Sequence, residues 1–123
     1  METALVLMLL VTLTFAAIEY GWLFTSAGYV TNAARQGARI GARPDATSAD
    51  VQSAVNTLMN NVGMGSSGYS VTLSPSDVTS LTPGQALSVT VSVPYNNIEI
   101  TGFPLLPLPA NLRSQATMAK EGP

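Results

Sequence analysis

Residues 2–24 read ETALVLMLLVTLTFAAIEYGWLF, and the reading of that stretch decides the fold. Residues 3–18 carry no charge, and Glu2 and Glu19 bracket them. As a helix these residues span about 24 Å, slightly less than the roughly 20 residues that cross a bilayer. Adding EYGWLF carries the apolar segment to Phe24 and places Tyr20 and Trp22 where amphipathic rings favour a membrane–water interface. Glu19 then falls near one edge of the membrane. A cleavable signal is disfavoured, because the residue before the apolar run is acidic where such signals are basic, and no convincing cleavage site follows. Burial inside a soluble domain is disfavoured too, since a small domain can hardly cover a helix that is apolar on all sides.

No proline interrupts the chain before Pro44, so one helix is expected from about Glu2 to Ala42. Its second half ends in NAARQGARIGARP, residues 32–44. At 100° per residue Arg35, Arg39 and Arg43 share one edge, while Val30, Ala33, Ala34, Gly37, Ile40 and Gly41 lie opposite. Gly21, Gly28, Gly37 and Gly41 each cost about 1 kcal/mol in a helix interior relative to Ala, so each position calls for a reason. Close backbone approach is the usual one, and Gly37 and Gly41 form a small-xxx-small pair. Gly37 and Gly41 are read as packing on the protein's own sheet. Gly21 and Gly28, nearer the membrane, suit contact with other copies.

A short amphipathic helix follows. Thr47 and Asp50 fit a capping box, Val51, Ala54, Val55, Leu58, Met59 and Val62 fall at helical spacing, and Gly63 and Gly65 stop it. The remainder reads as β. Tyr69–Ser74 and Ala86–Pro94 alternate apolar with hydroxyl residues, and TPG (82–84) marks a turn between them. A weaker alternation predicts a last strand within Asn111–Glu121. The intervening YNNIEITGFPLLPLPA allows a brief strand at Ile98 and Ile100. Pro104, Pro107 and Pro109 then exclude central pairing, which leaves an apolar loop that either folds over the sheet or offers a surface to a neighbour. The fold class is thus α+β: a long N-terminal helix, a short second helix and a small antiparallel sheet of three to four strands. Its segments are a membrane or filament-core helix at 1–24, an amphipathic continuation at 25–43 and a head at 44–123.

Composition narrows the function classes. The 123 residues leave room for one domain, and the formal charge is −2. Of five basic residues only three cluster, too few for a duplex-binding surface. With neither Cys nor His there is no thiolate, no common zinc site and no His base. Seven carboxylates are scattered without a persuasive acid–base pair, and no phosphate-binding or hydrolase motif occurs. The expectation is a protein that is not an enzyme, needs no cofactor and binds no nucleic acid.

The layout resembles a type IV pilin, whose apolar helices bundle into a filament core. The local motifs are more specific. Ile18-Glu19-Tyr20-Gly21 and the block Asn32–Arg39 (NAARQGAR) are similar to the TadE/TadG-like family of the tight-adherence (Tad) pilus system, and the closing ATMAKE resembles that family's final strand. The match is clear over about the first 43 residues and is one of pattern beyond them. Met8 stands where the family often has Pro, so a straighter helix is expected there. Glu2 stands in for the glutamate that pilins carry at the fifth mature position. That leaves either a mature chain with a shortened N-terminus or a differently processed start.

The resemblance implies a structural subunit of a pilus or pseudopilus, held in the bacterial inner membrane and then assembled into an adhesive surface filament. Implied partners are other copies or related pilins, the pilus assembly platform and prepilin peptidase. Candidate assembly residues are Met1, Glu2, Glu19, Gly21, Trp22, Gly28, Arg35, Gly37, Arg39, Gly41 and Arg43. Glu2 is either a solvated first-turn acid or a partner for an N-terminal amine, Met1's own or a neighbour's. Glu19 lies about 24 Å along the helix from Arg35, beyond reach of any base on that helix. It is therefore either exposed at the membrane surface or protonated or paired with a group from another copy. The alternative function is a monomeric, single-pass membrane-anchored binding module of the envelope. A weaker one is an anionic-lipid binder using the three arginines.

Overall fold

The computed structural model describes residues 1–100 and 107–121. Helix α1 (Glu2–Gly41) is unbroken over 40 residues, about 60 Å. Helix α2 (Ser48–Asn61) follows, then strands β1 (Ser70–Ser74), β2 (Ala86–Pro94) and β3 (Asn111–Ala119). The strands form an antiparallel meander in the order β1-β2-β3. Single 3-10 turns sit at Val78–Ser80 and Tyr95–Asn97. The second of these stands where the chain leaves β2, and Ile98 and Ile100 form no strand, so the described sheet has three strands. Of the apolar loop expected between β2 and β3, Phe103, Pro104, Leu105 and Leu106 lie outside the described residues.

Each element has a local cause. The Thr47 hydroxyl accepts the Asp50 N–H and the Asp50 carboxylate accepts the Thr47 N–H, which closes the capping box at the start of α2. Beyond its end, Gly63 takes φ +79°, a left-handed conformation that glycine adopts without strain. In the sheet, Leu87, Val89, Val91 and Val93 of β2 point inward and are fully buried. Pairing sets Met118, Ala116, Ser114 and Leu112 of β3 beside them in register. Each such burial contributes about 1.5–3 kcal/mol.

The helices lie side by side on this inner face, α1 over β2 and β3, and α2 toward β1. Of the predicted smooth face of α1, Val30, Ala33, Ala34, Gly37 and Gly41 are buried, while Ile40 is only half-buried and Ala38, not named in that face, is buried beside them. A Cβ on Gly37 would stand 2.9 Å from Val55 Cγ2 and 3.2 Å from Val89 Cγ1, and one on Gly41 would collide with Leu87. Glycine there lets α1 lie close to α2 and β2 at once. Gly21 and Gly28 have nothing within 4 Å of the corresponding position. The upper end of α1 is closed by Lys120, whose ammonium donates to the Gly41 carbonyl at 3.1 Å, while the Glu121 N–H donates to the Ala42 carbonyl. A cation at a helix C-terminus also opposes the negative end of its dipole.

Candidate functional site

Below Glu19 the helix is largely exposed. Leu5 is 69% exposed, Leu9 59% and Ile18 47%, and no face of residues 2–18 is buried. This exposed stub is about 25 Å long. Met1 and Glu2 are exposed at its tip. The hydroxyls of Thr12 and Thr14 turn back to the Met8 and Leu10 carbonyls, so neither presents an unsatisfied donor along the stub.

Burial begins at Glu19, inside the apolar segment that hydropathy extends to Phe24, and it begins with a collar. Glu19 is 0% exposed. Its Oε2 accepts the Tyr95 hydroxyl at 2.6 Å and the Ile100 N–H at 3.2 Å. Tyr20 donates to the Pro107 carbonyl at 3.1 Å, and the Trp22 indole N–H donates to the Ile98 carbonyl at 2.6 Å. The Trp22 ring meets Tyr29 edge-on. The segments after β2 and before β3 are thereby tied around the helix at the point where it becomes bare. Burial first, and then the Glu19 hydrogen bond, push the Tyr95 hydroxyl above its ordinary range, so it stays a donor.

Glu19 is thus neither an exposed carboxylate nor dependent on another molecule for a donor, because the chain's own Tyr95 and Ile100 supply two. Tyr20 and Trp22 sit where the exposed helix meets the head, and their polar tips bond the chain's own backbone. Phe24 (74% exposed) and Ile100 (56%) continue the apolar surface past the end of the stub. Gly21, Phe24, Gly28 and Asn32 form an open stripe on the same helix.

The basic edge divides. Arg35 and Arg39 line a groove with Gln115, Ala116, Thr117 and Met118 of β3. Arg43 belongs to a different hollow, with Asp45 and Asp50 between the end of α1 and α2. Sequence reasoning missed Tyr95, Lys120 and the carbonyls of Ile98 and Pro107. A buried aromatic hydroxyl near the end of a strand was the one available signal.

The arrangement is that of an α+β protein with one helix long and apolar enough to cross a membrane: an apolar rod, exposed at one end, with a small sheet domain clasped to the other. Residues 1–39 match the family model of TadE-like protein, which covers α1 almost to its end. The match covers about a third of the chain, so this helix is similar to the N-terminal segment of the TadE-like family, which is associated with the Tad pilus. No curated protein and no solved structure matched the chain.

Proposed function

We propose that the chain is a structural subunit of a bacterial Tad-type pilus or pseudopilus. It is held in the inner membrane by its stub and assembles with other copies, or with related pilins, into an adhesive surface filament. The observation that carries this reading is the stub itself. Ten large apolar side chains between Leu5 and Ile18 are exposed, on a helix whose other half is locked into the head. Exposing them to water would cost about 15–30 kcal/mol at 1.5–3 kcal/mol each. A chain drawn from the bilayer by an assembly platform therefore needs its stub covered at once, and the stubs of other copies are the matching surface. Within lipid there is little hydrophobic drive between helices, so association there rests on close packing. Gly21 and Gly28 on the open stripe allow that approach. Maturation by prepilin peptidase belongs to the same proposal.

Sheared surface filaments, imaged by electron microscopy and analysed by peptide mass spectrometry, test it. Peptides of this chain in the filament fraction are expected. If the chain stays monomeric in membranes with every secretion partner present, it is instead a single-pass anchored binding module.

A further inference from the structure

The head's charges are separated between two flanks. On the β3 side, Arg35 and Arg39 rim a groove whose floor is Ala116 and Met118. Both side chains belong to the inward face of β3, paired with Val89 and Leu87, yet Met118 is 41% exposed on this edge strand. Neither guanidinium makes a hydrogen bond or ion pair with a described residue. On the other side of α1, Asp45 and Asp50 stand together where α2 begins, with Arg43 beside them. Asp77 adds a third carboxylate close by, since the Ser48 hydroxyl donates to the Ser76 carbonyl and accepts the Val78 N–H.

We infer that, in the assembled state, the Arg35–Arg39 groove of one copy receives the Asp45–Asp50 corner of a second copy. This rests on the filament reading above. The surfaces are complementary in charge, which orients an encounter and excludes wrong pairings. They lie on different flanks, so the contact is heterologous, and in a filament its repetition would link successive copies in an open helical array. Met118 and Ala116 give the contact an apolar centre inside a charged rim. An anionic membrane is the poorer occupant. Even from Phe24, where the exposed apolar surface of α1 ends, Arg35 lies about 16 Å up the helix, beyond a headgroup layer of about 5–8 Å and an arginine side chain together.

The chain contains no cysteine, so thiol chemistry reads the contact without background. Two differently tagged full-length versions, Arg39→Cys and Asp45→Cys, are co-expressed with all assembly partners. A short bis-maleimide linker is then applied to membranes and to sheared filaments. Asp45 is chosen because Asp50 holds the capping box. A mixed adduct is expected that appears only when both versions are present. In parallel, Arg39→Glu is expected to lower filament yield and Asp45→Arg in the same chain to restore it. No mixed adduct in filaments that contain both versions, with none in membranes, overturns the contact and leaves the filament reading standing. Absence of the chain from filaments overturns the filament reading, and the membrane adduct still decides the contact. A yield that falls with Arg39→Glu and is not restored by Asp45→Arg points to a small or polymeric anion in the groove and overturns the second-copy assignment.

Discussion

Glu19 holds the bare helix to the head through donors that come from 76 and 81 residues further along the chain. Removing the Tyr95 hydroxyl leaves a buried carboxylate with one donor fewer. Tyr95→Phe should lower stability by about 1.5–3 kcal/mol, the range for hydrogen bonds to charged groups. Thermal unfolding of the full chain in detergent micelles measures this, and Glu19→Gln, which keeps an acceptor, should cost less than Glu19→Ala. The same pair has a signature at alkaline pH. Burial and the Glu19 bond hold the Tyr95 pKa above its ordinary 10.0, so the fold favours the neutral hydroxyl. That contribution is whole below pH about 10 and is lost as pH rises further, when tyrosine in the unfolded chain ionises. Of the four tyrosines, one should fail to titrate with the others in an ultraviolet pH titration of the folded protein. Tyr95→Phe should abolish that late step.

At the scale of elements, α1 uses its glycines in two ways, and alanine scanning separates them. At Gly37 and Gly41 an added methyl meets Val55, Val51 and Leu87. Overpacking of about 1–3 kcal/mol should outweigh or cancel the gain of about 1 kcal/mol in helix propensity. At Gly21 and Gly28 the space is open, so Ala should stabilise the single chain by about 1 kcal/mol each in the same micelle assay. Filament yield should nevertheless fall if copies approach there. The capping box is a further test. Thr47→Ala should cost about 1 kcal/mol and raise amide exchange in the first turn of α2. These elements were legible because their causes are local. Helical spacing named the buried stripe of α2, alternation gave β2 its inward side chains, and the hydroxyl and carboxylate of the capping box sit three residues apart. The collar was not legible. Tyr20 and Trp22 bond backbone carbonyls 87 and 76 residues away, and a carbonyl leaves no trace in residue type. Lys120 closes α1 from 79 residues away for the same reason. The readings offered for Glu19, exposure at the membrane surface or protonation or pairing with another copy, all assumed that only its own helix was within reach.

In the whole molecule, rod and head divide the work. The head buries the upper half of α1, the collar fixes where burial stops, and the lower half is left bare over a length close to that of a bilayer's apolar core. A chain of this form is stable where lipid or other stubs surround the bare half. The segment matched by the TadE-like family model is this rod, while the head carries the two charged flanks. Helical reconstruction of sheared filaments by electron cryomicroscopy tests the central claim most directly. The account predicts residues 2–18 of every copy packed in the filament core, α1 continuous into an outward head, and Glu19 still bonded to Tyr95 of its own chain. A filament without this chain, or a reconstruction with residues 2–18 facing solvent or a detergent belt and touching no neighbouring stub, would contradict it.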